Sequence, residues 1–108
     1  MPQMSSTREI DIEQFASANP SGTVVDVRER AEFASGHVPG AQLIPMGHLA
    51  ARLRELDRTK PVYVIRARGN RSLAMTDLLR GAGFDAYSVA GGTVAWARSG
   101  RTVEGGLG

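Results

Sequence analysis

The clearest hydrophobic pattern in the chain lies in its second half, where an apolar run is followed by apolar positions at helical spacing. Val62–Ile65 is continuously apolar and mostly β-branched, which is typical of a strand buried on both faces of a parallel sheet. From Ser72 to Ala82, Leu73, Leu78 and Leu79 are directed toward one side of a helix. The pattern therefore predicts a strand, a tight loop and a helix.

The rest of the chain alternates between the same two periodicities. Further strands are predicted at Arg8–Ile10, Thr23–Val27, Gln42–Ile44 and Phe84–Val89. Further helices are predicted to follow Asp11, which offers an N-cap with Gln14 three residues later, and at Glu29–Ser35, Leu49–Leu56 and Thr93–Arg98. Alternating strands and helices predict an α/β fold: a small, mostly parallel sheet of about five strands flanked by helices on both faces.

Length and composition limit the organisation of the chain. The 108 residues are enough for one domain and too few for two ordinary ones. We expect an extended or disordered tail at 1–7, a single domain at 8–103 and a flexible tail at 104–108. No apolar run approaches the roughly 18 residues of a membrane span. Met1–Thr7 lacks the apolar core of a signal peptide, which makes the cytoplasm the expected location.

The charge of the chain is nearly balanced, with 13 Lys and Arg against 11 Asp and Glu. A net charge of +2 is too small to indicate nucleic acid as a ligand. The positions of the arginines are more informative, because Arg66, Arg68 and Arg71 cluster in the loop after Val62–Ile65. There is no cysteine, and two histidines alone do not make a zinc site. We therefore expect neither a metal nor a cofactor.

The loop between this strand and helix has the properties of an anion site. Backbone N–H groups from Ala67 to Ser72 and the positive end of the helix dipole favour an anion there. The guanidinium groups could bind sulfate, thiosulfate or phosphate through paired hydrogen bonds. The alternative is that Arg66 fills the pocket or pairs with Asp26 or Glu29, while Arg68 is solvated.

Charged residues mark the end of the strand predicted at Thr23–Val27. Asp26 and Arg28 stand at its carboxyl end, near the mouth of the loop. Residues at the end of a buried strand commonly hold the adjoining loop by hydrogen bonds and an ion pair. We therefore assign Asp26 and Arg28 to support of the loop rather than to chemistry, and we expect His37 to be a hydrogen-bonded structural histidine.

Three motifs follow one another along the chain: Val25–Arg28 with Glu32–Phe33 and Gly36–Ala41, then Gly69–Ser72, and then Val89–Trp96. The first and the last resemble the two hallmarks of rhodanese-like domains, in the correct order and spacing. Between them, Gly69–Ser72 resembles the second half of that family's active-site loop. The resemblance covers nearly the whole chain and is specific because it rests on three motifs.

The resemblance implies a relationship to sulfurtransferases. In active members of that family a loop cysteine takes a sulfane sulfur, commonly from thiosulfate, and passes it on from a persulfide. Laid onto this chain, the nucleophile position is Arg66, and the loop length from Arg66 to Arg71 is typical of sulfurtransferases rather than of the phosphatase relatives. The implied anion-binding loop consists of Arg66, Ala67, Arg68, Gly69, Asn70, Arg71 and Ser72. Within it, the resemblance gives Arg71 a bracing role.

Arginine cannot perform the chemistry of the missing cysteine. Its guanidinium stays protonated, has no lone pair to donate and carries no sulfur. The first hypothesis is therefore a non-catalytic module that binds an anion or an unidentified protein partner and serves regulation, with no catalytic residue of its own. The alternative is a sulfurtransferase that depends on a partner's cysteine. A weaker alternative is polyanion binding through exposed arginines, which salt-sensitive affinity would reveal.

Overall fold

The computed structural model describes residues 8–18, 21–67 and 72–106, and all structural statements below concern these residues. The strands are β1 (Glu9–Ile10), β2 (Thr23–Asp26), β3 (Gln42–Leu43), β4 (Val62–Ile65) and β5 (Ala86–Val89). The helices are α1 (Ile12–Ala18), α2 (Arg30–Ser35), a 3₁₀ helix (Met46–Glu55), α3 (Ser72–Gly81) and α4 (Gly92–Arg98). The strand and helix positions agree with the alternation in the sequence.

The strands form one five-stranded sheet in the order β1-β5-β4-β2-β3. Each pairing in the sheet is parallel, and β4 lies in the centre between β5 and β2. All residues of β4 are buried, as its continuous apolar run requires. The predicted α/β fold is therefore confirmed, and the sheet is parallel throughout rather than mostly parallel.

The two faces of the sheet carry separate hydrophobic cores. On one face, Val64 and Val25 pack with Leu49 and Leu79, which come from the 3₁₀ helix and α3. On the other face, Ile65 belongs to a second core. This core also contains Phe15 of α1 and Trp96 of α4, which come from the two ends of the chain. Because β4 contributes alternate residues to both cores, it fixes the position of the loop that follows it.

The crossover between β3 and β4 differs from the prediction. The stripe of Leu49, Leu53 and Leu56 predicts an α-helix, whereas Met46–Glu55 is a 3₁₀ helix with a kink at Arg52. With three residues per turn, positions four apart do not share a face, so one regular helix cannot align the leucines. The kink at Arg52 and the extended backbone of Leu56 change the direction of the chain, so that all three leucines reach the core. Leu49 and Leu56 are buried, and Leu53 packs against the same core.

The ends of the described chain are attached to the domain. At the start of α1 the predicted capping box is present, since the Gln14 amide donates to the Asp11 side chain and the Asp11 amide donates to Gln14. Near the carboxyl end, Glu104 pairs with His37 through two backbone hydrogen bonds of 2.8 and 2.9 Å. The expected tail at 104–108 therefore begins with residues in contact with the domain, while the expected tail at 1–7 lies outside the described residues. None of the helices in the described ranges is long and apolar enough to cross a membrane.

Candidate anion site at the carboxyl end of β4

Arg66 is the first residue after β4, at the edge of the sheet where its strands end. Asp26, the last residue of β2, pairs with Ile65 across the ladder, and the Val27 amide donates to the Ile65 carbonyl over 3.1 Å. The structure thus places the two sequence-predicted positions, Arg66 and Asp26, on neighbouring strands at one edge. In parallel sheets this edge is where ligands commonly bind.

The first turn of α4 holds the start of the loop through backbone hydrogen bonds. The Thr93 amide donates to the Arg66 carbonyl over 2.7 Å, and the Val94 amide donates to the Ala67 carbonyl over 3.1 Å. Gly92 has a φ of +56°, and a Cβ at this position would overlap the Arg66 carbonyl oxygen. The close approach therefore requires glycine at residue 92.

Two polar side-chain atoms at this junction are buried without a hydrogen-bond partner in the described part of the chain: the Nε of Arg66 and the Oγ1 of Thr93. Thr93 is 8% exposed, whereas Arg66 is half-buried. Leaving a buried donor unsatisfied costs about 1–3 kcal/mol, and more for a charged group. The backbone hydrogen bond between the two residues holds their main chains together at the end of β4. An acceptor bound there would satisfy the guanidinium.

Both carboxylates that the alternative interpretation offers to Arg66 have other partners in the described part of the chain. Both Asp26 oxygens accept hydrogen bonds from Arg28, whose Nη2 also donates to the Gly36 carbonyl over 2.8 Å. Asp26 is fully buried and Arg28 is 6% exposed. The Glu29 side chain takes part in the capping box of α2. Asp26 and Arg28 thus link the end of β2 to the segment that follows α2.

At the other end of the loop, the Ser72 side chain is turned into the domain. Ser72 is fully buried, and its hydroxyl is hydrogen bonded to the hydroxyl of Ser88 on β5. The Thr76 hydroxyl donates to the Ser72 carbonyl over 2.7 Å. These contacts fix the first turn of α3 on the sheet. Four residues predicted to form the anion-binding loop lie outside the described residues: Arg68, Gly69, Asn70 and Arg71.

His37 has a structural environment. Its Nδ1 lies 2.7 Å from the Phe33 carbonyl, and its ring stacks on the Phe33 ring at a centroid distance of 3.7 Å. The Nε2 lies 3.8 Å from a carboxylate oxygen of Glu104. The hydrogen bond of Nδ1 and the stacking of the ring give His37 the hydrogen-bonded, structural environment that the sequence predicts.

Comparison with known proteins identifies the family. A family model described as rhodanese-like domain matches residues 11–99. The chain belongs to the rhodanese-like domain family. The match includes β2, the β4–α3 junction and α4, so the elements that surround Arg66 are those of a rhodanese-like domain.

Relatives of this rhodanese-like domain include a thiosulfate sulfurtransferase, GlpE of Pseudomonas syringae. It is 37% identical over 95 residues, which cover 86% of this chain and 90% of GlpE. YqhL of Bacillus subtilis, a protein without an assigned function in its name, is 35% identical over 85 residues, covering 78% of this chain and 68% of YqhL. The chain is thus related to thiosulfate sulfurtransferases while containing no cysteine.

Solved structures share the fold over most of their length. A rhodanese-related protein from Thermoplasma volcanium superimposes with a TM-score of 0.85 at 33% identity, covering 90% of this chain and 97% of that protein. The Alr3790 protein from Anabaena gives a TM-score of 0.83 at 31% identity, covering 91% of this chain and 81% of the other. The fold of this rhodanese-like domain is therefore that of its relatives.

The sequence interpretation missed the part that Gly92 and Thr93 play at the site. It assigns Gly91 and Gly92 to the motif Val89–Trp96 and Thr93 to the start of a helix. The double glycine before a short helix was the available signal, because two successive glycines allow both the turn and a close backbone approach. The sheet order determines which backbone approaches Gly92, because it places β5 between β1 and β4 and so brings the start of α4 to the end of β4.

Proposed function

We propose that this rhodanese-like domain is a non-catalytic module that binds a small oxyanion at the β4–α3 junction. The observation that carries the proposal is the buried Nε of Arg66 at the end of β4, which has no hydrogen-bond partner among the described residues, in a chain that has no cysteine. Sulfate, thiosulfate and phosphate each offer oxygens that pair with a guanidinium. A partner protein presenting such a group would be recognised through the same contact, which would suit a regulatory role.

The side chains around Arg66 support binding rather than covalent chemistry. A hydroxyl becomes a nucleophile only with a base close to it. The Ser72 hydroxyl is hydrogen bonded to Ser88, and the Thr93 hydroxyl has no hydrogen-bond partner among the described residues. His37, which could serve as a base, is held against the Phe33 carbonyl. No activated nucleophile is therefore found in the described part of the site.

A sulfur-transfer assay tests the non-catalytic part of the proposal. Purified protein incubated with thiosulfate and cyanide should produce no thiocyanate above the uncatalysed rate, and mass spectrometry should detect no added sulfur atom. Turnover by the chain alone would overturn the proposal. Turnover that begins only when a cysteine-containing protein is added would favour the alternative, a sulfurtransferase that uses a partner's cysteine.

Calorimetric titration with sulfate, thiosulfate and phosphate tests the binding part. Replacing Arg66→Gln should weaken binding about tenfold or more, because a hydrogen bond to a charged group contributes about 1.5–3 kcal/mol. Arg98→Gln is the matched control, since Arg98 is exposed in the last turn of α4. Equal affinities of the two variants, or no binding by the unmodified protein, would contradict the proposal.

A further inference from the structure

A second concentration of positive charge surrounds a cavity beside the edge strand β3. The cavity has a volume of about 410 Å³ and is lined by Arg30, Leu43, Pro45, His48 and Arg52. None of these residues belongs to the β4–α3 junction or to α4. The volume lies in the range of small-molecule sites, which are usually about 300–1,000 Å³. The cavity is therefore large enough for a ligand and separate from the lining of the Arg66 site.

One wall of this cavity is a guanidinium held in a fixed plane. The Nε and Nη2 of Arg52 each donate to a carboxylate oxygen of Glu55 over 2.8 Å. The side-chain hydrogen bond raises the pKa of Arg52 and lowers the pKa of Glu55, so both groups remain charged. Because the pair uses Nε and Nη2, Nη1 lies outside it. Nη1 therefore remains available to a ligand in the cavity.

The other polar side chains of the cavity are not engaged. Within the described ranges, neither Arg30 nor His48 has a side-chain hydrogen bond or an ion pair. No acidic side chain is among the described residues that line the cavity, whereas Leu43 and Pro45 give it an apolar surface. The lining thus combines cationic groups from two helices with a small hydrophobic area, which favours an anion with an organic body.

We propose that this cavity is a second ligand site, which binds a small organic phosphate. The two oxygens of a carboxylate can engage one arginine fork, whereas a phosphate has enough oxygens and charge for several donors at once. Arg30, Arg52 and His48 surround the phosphate, and Leu43 and Pro45 contact the organic body. The site does not depend on Arg66, so it stands whether or not the loop binds an anion.

Two-dimensional amide NMR with phenyl phosphate as the probe tests the assignment. We expect saturable shifts for the amides of Leu43, His48 and Arg52 that persist in the Arg66→Gln variant, whether or not the amides of Thr93 and Val94 also respond. Arg30→Gln should weaken the binding about tenfold, as expected for loss of a charge-assisted hydrogen bond. Arg54→Gln is the matched control, because Arg54 is an exposed arginine of the same 3₁₀ helix that does not line the cavity. It should leave the dissociation constant unchanged.

Two further probes separate this site from general attraction of anions. Benzoate should bind more weakly than phenyl phosphate because it carries a single charge. Inorganic phosphate should also bind more weakly than phenyl phosphate, because it lacks the apolar body. Arg66→Gln should leave the dissociation constant obtained from the Leu43, His48 and Arg52 amides unchanged, because Arg66 does not line this cavity. The proposal is overturned if Arg30→Gln and Arg54→Gln have equal effects, if shifts occur only around Thr93, or if the three probes bind equally well.

Discussion

The carbonyl oxygen of Arg66 accepts a 2.7 Å hydrogen bond from the amide of Thr93, so the residue that follows β4 is held by the first turn of α4. The contact joins residues that are 27 positions apart in the sequence. It depends on Gly92, whose positive φ and lack of a side chain allow the two backbones to meet. The orientation of Arg66 is thus set by a distant segment as well as by its own strand.

Replacing Gly92→Ala should destabilise the domain and disturb the site. Its left-handed backbone disfavours a side chain by about 1–2 kcal/mol, and the overlap of the Cβ with the Arg66 carbonyl adds about 1–3 kcal/mol. Urea denaturation should therefore show a total loss of about 2–5 kcal/mol in the free energy of unfolding. Amide shifts at Thr93 and Val94 should report the broken contact.

The matched control for this substitution is Gly81→Ala. Gly81 is the last residue of α3, and a Cβ there would meet no atom within 4 Å. Alanine at this position should leave the stability unchanged or raise it by up to about 1 kcal/mol, because alanine restricts the unfolded chain. Equal losses for the two variants would mean that the contact between α4 and Arg66 is not responsible.

The buried pair of Asp26 and Arg28 should contribute far more to stability than the exposed pair of Arg52 and Glu55. Arg28→Ala leaves the fully buried Asp26 carboxylate uncompensated, and this should cost about 3–5 kcal/mol. Glu55→Gln breaks an exposed ion pair and should change the stability much less. Thermal unfolding of the two variants compares their stabilities. Similar losses of stability would contradict the structural role assigned to Asp26 and Arg28.

The features that the sequence predicts well are those set by local rules. The Asp11 and Gln14 capping box follows from two residue types three positions apart, and both of its hydrogen bonds are present. The β4 strand follows from a run of four apolar residues, all of them buried. In these cases the physical cause lies within a few residues of its effect, so a single sequence is sufficient.

The features that the sequence predicts poorly depend on tertiary packing. Apolar spacing at Leu49, Leu53 and Leu56 indicates which side chains face the core, but it does not distinguish an α-helix from a kinked 3₁₀ helix, which the neighbouring elements impose. The contact between Arg66 and Thr93 requires the sheet order, which local patterns do not specify. The sequence therefore predicts a position for the candidate site from a local pattern, but it does not predict the backbone contacts of Gly92 and Thr93 that hold Arg66.

The two tyrosines of the chain should titrate above their ordinary range. The pKa of Tyr63 is raised first by burial and then by the charge of Asp85. The pKa of Tyr87 is raised by a hydrogen bond to Asp85, by burial and by the same charge. Because Tyr63 and Tyr87 are the only tyrosines, alkaline ultraviolet titration observes this pair alone. Phenolate absorbance should rise at a higher pH in folded than in urea-unfolded protein.

The same shifts predict how stability depends on pH. A folded-state pKa above the unfolded value of about 10 means that the folded protein holds its proton more tightly. The resulting stabilisation is complete below the unfolded pKa and is lost as the pH rises through the folded pKa. Asp85→Asn should lower both tyrosine pKa values and reduce this loss. Asp77→Asn, which removes an exposed partner of Arg8, should leave them in place; equal titrations of the two variants would contradict the role of Asp85.

Restoring a thiol at the end of β4 tests whether the loop still favours an anion. The chain contains no cysteine, so Arg66→Cys introduces a single reactive group whose alkylation can be followed without background. If the donors of the loop and of the first turn of α3 stabilise a negative charge, the thiol pKa should fall from its ordinary value of about 8.5 to about 7 or lower.

Ala50→Cys is the control for this thiol, since Ala50 is exposed on the 3₁₀ helix, away from the end of β4. Its alkylation rate should follow an ordinary thiol titration, whereas the rate of the Arg66→Cys variant should already be near its maximum at neutral pH. Coincident pH profiles would show that the loop offers no stabilisation to an anion. In that case Arg66 would fill the space left by a lost nucleophile without providing a binding site.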